Sequence, residues 1–128
     1  MTPDCIIPIF QVSDLNAAVA FYTNVLGFSV DFEFGSVVGI RHGAIQIHLS
    51  GPASAGNKKA VGEGHVYIFC NEVDDYYDEI RAKGANAFIP PGDRPYNVRD
   101  FAVKDADGNI LAFGKSTYAG PNTSRQTL

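Results

Sequence analysis

Apolar and polar positions alternate along most of this chain, and two stretches break the alternation with helical spacing. Val98–Lys104 and Asn109–Phe113 each read as half-buried strands, because successive strand side chains point to opposite faces. Between them Asp105-Ala106-Asp107-Gly108-Asn109 reads as a tight reversal, with Gly108 supplying the positive φ, so the pair predicts an antiparallel hairpin. One face of its first strand carries Val98, Asp100, Ala102 and Lys104, and the other carries Arg99, Phe101 and Val103. Tyr96 precedes this strand in a loop stiffened by Pro90, Pro91 and Pro95.

From the N-terminus, Pro3–Gln11 predicts an apolar strand whose internal Pro8 removes a ladder donor, which suits an edge strand or an exchanged arm. Ser13 and Asp14 are N-cap candidates. Leu15, Val19, Tyr22 and Leu26 follow at helical spacing up to Gly27. Three strands are predicted next, over Phe28–Phe34, Ser36–His42 and Ala44–Ser50. Residues 51–64 (GPASAGNKKAVGEG) are low in hydrophobicity and read as a linker. The pattern then restarts with a strand over His65–Cys70, an amphipathic helix over Glu72–Lys83, a short strand over Ala87–Ile89 and the closing hairpin. Setting Val12 against Cys70, Leu15 against Val73 and Tyr22 against Ile80 superposes the halves at an offset of 58 residues. The prediction is an α+β fold of two βαβββ modules, about 3–50 and 65–114, in one 128-residue domain with a polar tail at 117–128.

Charge and cysteine content narrow the function classes. The net charge is −4 with no basic run, which argues against a nucleic-acid partner and favours a cationic one. Cys5 and Cys70, each in an apolar strand, are expected to be buried and reduced. No CxxC offers structural zinc, no G-x-S-x-G offers a hydrolase nucleophile, and GSVVG has no Gly-Lys-Ser/Thr after it. Without a signal-like leader or a long apolar run, the expected location is the cytoplasm, with no membrane partner.

The tracts Arg99-Asp100-Phe101 and Asp105–Asn109 resemble the closing hairpin of the vicinal-oxygen-chelate superfamily, which includes glyoxalase I, extradiol dioxygenases, and the fosfomycin- and bleomycin-resistance proteins. The N-terminal tract, with Pro8, Phe21-Tyr22-Thr23, Leu26-Gly27-Phe28 and Asp31-Phe32, resembles bleomycin-resistance proteins in particular. The resemblance implies a glyoxalase/bleomycin-resistance fold and a domain-swapped homodimer sharing its ligand groove. It also implies four metal-ligand positions, which fall on Ile7, His48 (or Gln46), His65 and Ala112. Ile7 and Ala112 cannot ligate, so the expectation is no metal and no cofactor.

What remains is an aromatic and acidic cup. Phe32 and Phe34 share one face of their strand by alternation and Asp31 and Glu33 the other, while His65, Tyr67 and Phe69 share a face of theirs. Ordinary core packing would account for Phe32 and Phe69 equally well. By resemblance the ligand-binding set is Asp31, Phe32, Ser50, Tyr67 and Tyr96, with Arg41 and Asn97; Phe34, His48 and His65 join it as cavity-facing residues. The chain has no tryptophan, so tyrosine would do the stacking. The implied function is stoichiometric sequestration of a bleomycin-type antibiotic. The competing readings are a divalent-metal-dependent glyoxalase-like lyase or thiol transferase, and a binder of another planar metabolite.

Overall fold

The computed structural model describes residues 1–54, 56 and 59–117. Its described residues form two compact units, one within 1–64 with 105–109, the other of His65–Lys104 with 110–117. Each unit is a βαβββ module with a four-stranded sheet. The predicted polar tail lies outside the described residues beyond Thr117.

In the first unit β1 (Ile9–Gln11) is followed by α1 (Leu15–Ala20), then β2 (Ser29–Phe34), β3 (Val37–His42) and β4 (Ile45–Ser50). The sheet order is β1-β4-β3-β2, with β1 parallel to β4 and the remaining pairs antiparallel. β1 is an edge strand, but it is only three residues long, so the predicted Pro3–Gln11 strand shortens and Pro8 falls outside it; the Pro8 carbonyl still accepts the His48 amide at 3.0 Å. Asp14 caps α1 by accepting the Ala17 amide at 3.0 Å. The helix does not end regularly. It widens into a π turn over Phe21–Val25, where the Leu26 amide reaches back to the Phe21 carbonyl, and Gly27 then leaves at φ +83°. Tyr22 and Leu26 are fully buried with Ile40, Ile47 and Leu49, forming the core on the helix side of the sheet. Asp105 is the polar centre of this unit. Its carboxylate accepts from the Tyr22 hydroxyl (2.9 Å), the Asn109 side chain (2.9 Å) and the amides of Asp107 and Asn109. Burial and the negative charge of Asp105 push the Tyr22 phenol pKa well above its usual value.

The second unit repeats the plan with β5 (His65–Phe69), α2 (Val73–Ala82), β6 (Asn86–Arg94), β7 (Val98–Lys104) and β8 (Ile110–Ser116). Its order, β5-β8-β7-β6, has the same mixed pairing. Tyr76 and Tyr77 of α2 pack their rings on Phe101 and Phe113, 5.0 Å from Tyr76 to Phe113 and 5.3 Å from Tyr77 to Phe101. Gly108 takes φ +99° in the β7–β8 reversal, and Gly84 takes the same value after α2.

The structure departs from the sequence reading at several places. β6 is nine residues long and runs through Pro90 and Pro91, where the sequence predicts a loop. It does so because β6 is the sheet edge and its pairing with β7 is irregular on both sides of Ile89, so missing N–H donors cost few ladder bonds. The loop before β7 shrinks to the turn Pro95–Asn97. Val98 and Asp100 to Val103 of β7 are all buried, rather than half-buried, because on the face away from α2 the side chains of Tyr67 and Arg94 cover the strand at Asp100. Both cysteines are free thiols as expected, yet Cys5 is exposed rather than buried, while burial raises the pKa of the half-buried Cys70. Among the described residues no helix is long and apolar enough to cross a membrane.

Candidate functional site

Each sheet has one face against its helix and one face open. On the open face of the second unit, the strand register places Phe69, Gly114, Asp100 and Gly92 side by side across β5, β8, β7 and β6. Asp100 is thus a buried carboxylate between two residues that have no side chain. The Tyr67 ring lies across Gly114, so close that a methyl group there would sit 2.2 Å from its hydroxyl oxygen. From that position the hydroxyl donates to Asp100 Oδ2 at 2.7 Å. Arg94 comes from the other side across Gly92 and donates from Nε to Asp100 Oδ1 at 2.7 Å. The Tyr96 hydroxyl reaches Oδ2 at 3.5 Å from the β6–β7 turn. Partial burial, the hydrogen bond to Asp100 and its charge all raise the Tyr67 pKa, so this phenol stays a neutral donor.

This cluster forms the polar end of a cavity of about 530 Å³, within the size range of small-molecule sites. Phe88, Ile89, Ile110 and Ala112 supply apolar wall, and His65 lies at the exposed margin. Tyr67 and Phe69 are ring neighbours at 5.1 Å, on one face as expected. Asn97 does not line the cavity. It holds the turn at φ +63°, its amide donating to the Arg94 carbonyl and its carbonyl accepting from Thr117.

The open face of the first unit gathers the other predicted residues. Ile9, His48, Gly39 and Phe32 form one row across its strands, with the Phe32 ring lying over Gly39 and meeting His48 edge-on at 5.0 Å. Phe34 lies in the next row and is 81% exposed. Asp31 was expected on the opposite face from Phe32. A register shift between Val30 and Phe32 makes Asp31 an extra residue and returns it to the side of Arg41, to which it pairs at 3.2 Å. Ser50 is buried, and its hydroxyl is hydrogen-bonded to that of Ser54.

The superfamily's metal positions can be tested on their donors. Ile7 offers none and Ala112 is a methyl group between Tyr67 and Ala102 in the register, which leaves only the imidazoles of His48 and His65, with no carboxylate beside them among the described residues. Among the described residues no three His, Cys, Asp or Glu side chains converge. The residues present do not fit a divalent ion at these positions.

The model of the Glyoxalase/Bleomycin resistance protein/Dioxygenase superfamily matches residues 6–113. The chain belongs to this superfamily. Its curated relatives include the bleomycin resistance proteins of Geobacillus stearothermophilus and Staphylococcus aureus, 28% identical over 126 aligned positions that cover 84% of this chain and 92% of the relative. Among solved structures, the bleomycin-binding protein of Streptomyces verticillus, complexed with copper(II)-bleomycin, is 25% identical with a TM-score of 0.71, covering 88% of this chain and 97% of that one. A lactoylglutathione lyase from Agrobacterium tumefaciens is equally similar, at 25% identity and TM-score 0.74, covering 94% and 99%. This superfamily member therefore shares its fold with binding proteins and enzymes alike.

Sequence reasoning missed Arg94 and Asp100 as site residues. The available signal was Asp100 in the middle of an apolar strand, since a buried carboxylate requires donors. Gly92 and Gly114 in strand positions were a second signal, because glycine within a strand marks a close approach of another group.

Proposed function

We propose that this protein binds a bleomycin-type glycopeptide antibiotic and confers resistance by withholding it, with no bond made or broken. The observation that carries the reading is the open-faced cavity in which Tyr67 and Tyr96 flank one buried carboxylate beside a wall of Phe88 and Ile89. Flat rings on a preordered floor suit a planar heteroaromatic ligand, and tyrosine does the stacking that tryptophan would do elsewhere. The curated bleomycin resistance relatives and the copper(II)-bleomycin complex of the S. verticillus protein support the choice of ligand. In the first unit, Asp31 offers its carboxylate to a cationic group that exchanges with Arg41. That exchange is inexpensive because the pair is solvent-exposed, with 42% and 34% of the two side chains accessible.

The proposal includes a cytoplasmic homodimer, for which the exposed apolar side chains of Ile6, Ile9 and Phe34 supply a surface to cover. The lyase reading draws on the A. tumefaciens neighbour, but it needs a divalent ion that the donors at the four positions do not fit. Calorimetric titration with metal-free and copper-loaded bleomycin tests the proposal. Saturable binding with the drug recovered unchanged is expected. Failure of both forms to bind, together with metal-dependent turnover of a glutathione hemithioacetal, would replace the binder with the lyase.

A further inference from the structure

The Arg94 guanidinium is built into the cavity more firmly than a surface arginine. Nε donates to Asp100 Oδ1, while Nη2 donates to the carbonyls of Pro90 and Asp100, each at 2.9 Å. Those three bonds fix the plane of the group, which lies over Gly92. A methyl group on Gly92 would stand 2.7 Å from Nη1, 3.2 Å from Cζ and 3.5 Å from Nη2. Among the described residues Nη1 meets no acceptor, so its two N–H groups are the unspent donors of an otherwise satisfied cluster. The side chain is 26% exposed and lines the cavity. Asp100 offsets its charge, so the open edge selects by direction rather than by net attraction.

We propose that Arg94 is the ligand's polar anchor, with Nη1 receiving the oxygen of a carbonyl-type group, so that the preferred ligands are planar aromatic molecules bearing a carboxamide. This rests on the binding reading above and specifies the ligand chemistry. Gly92 and Gly114 are the positioning residues. Without side chains they let Arg94 and Tyr67 lie down on either side of Asp100, leaving a floor with one directed donor edge and an apolar wall opposite.

The test compares quinaldamide with quinaldine, two planar probes that differ in the carboxamide, by following the methyl resonances of Ile89 and Ala112. The parent is expected to bind the amide at least about ten-fold more tightly, the worth of a hydrogen bond to a charged donor. Arg94→Gln should bring the amide and quinaldine to equal affinity, whatever it does to quinaldine binding itself. Gly92→Ala, which keeps every charge and only displaces the guanidinium, should do the same and decides the matter if Arg94→Gln does not fold. A preference that survives in Gly92→Ala, or its absence in the parent, overturns the anchor. Bleomycin is titrated alongside. Drug binding with no amide preference refutes the anchor while the sequestration reading stands, and an Arg94-dependent preference without drug binding does the reverse.

Discussion

Gly114→Ala isolates the contact on which the candidate site depends. Gly114 sits in β8 with no positive φ, so alanine suits its backbone and should stabilise a strand by about 0.5–1 kcal/mol. The new methyl, however, would lie 2.2 Å from the Tyr67 hydroxyl oxygen, 2.8 Å from Cζ and 2.9 Å from Cε1. The ring must retreat by about 1 Å, which stretches its 2.7 Å bond to Asp100 past hydrogen-bonding distance. Loss of a bond to a buried carboxylate costs about 1.5–3 kcal/mol. Tyr67 is 41% exposed, so water restores part of this, and about 1–2 kcal/mol is the reasonable loss. The net is a destabilisation of about 0–1.5 kcal/mol, or a Tm lower by up to about 7 °C for a chain of this length. The second half of the cycle is sharper. In a Tyr67→Ala background there is no ring to displace, so Gly114→Ala should stabilise instead, and the sign reversal measures the coupling. Thermal melts of the four proteins suffice. Equal effects of Gly114→Ala in both backgrounds would refute the coupling between Gly114 and the Tyr67 ring.

Three further outcomes are expected. Tyr96→Ala should leave the melt nearly unchanged, since the ring is 63% exposed, yet weaken bleomycin binding by about 5- to 150-fold if the ring stacks on the drug; unchanged affinity would remove Tyr96 from the site. Tyr22→Phe should cost about 1–2 kcal/mol in a urea titration, because Asp105 loses its 2.9 Å donor but keeps the Asn109 side chain and two backbone amides. In an alkaline titration, Tyr22, Tyr67 and Tyr76 should ionise after the ordinary phenol value of 10, since burial raises all three. They ionise more easily in the unfolded chain, so the stability they contribute is complete below pH 10 and is lost as pH rises above it. Phenolate absorbance that grows uniformly from all six tyrosines of the native protein would contradict this.

The sequence carried the architecture because alternation and the 58-residue offset are properties of spacing alone. β-strand side chains alternate regardless of partner, and a duplicated module repeats its apolar positions. Spacing misled wherever a strand was irregular. The extra residue at Asp31 reversed a face assignment, and the prolines at 90 and 91 concealed that β6 continues to Arg94. Arg94 and Asp100 stayed hidden for another reason. They are partners across two strands, and only the register tells that Gly92 and Gly114 stand on either side of Asp100. Tyr67 could be placed on a cavity-facing side from alternation, but its engagement by Asp100 depends on the missing side chain at Gly114.

The same device recurs within each unit, and it bears on what the open faces do. In the first unit Phe32 from β2 lies over Gly39 of β3, where an added methyl would stand 2.1 Å from the ring. In the second, Tyr67 from β5 lies over Gly114 of β8, and Arg94 folds back over Gly92 within β6. By the offset between modules these are not equivalent glycines, so the two units reach flat-lying side chains by separate substitutions on one plan. A ring or guanidinium held down on a strand has already lost its rotational freedom, which lowers the entropy a ligand must offset on binding. Metal catalysis asks for something different, namely several lone-pair donors aimed at one point. Here His48 is turned edge-on to Phe32 and Ala112 presents only a methyl, so the open faces spend their positions on surface rather than on convergence. That allocation is what the proposed sequestration of a planar molecule requires.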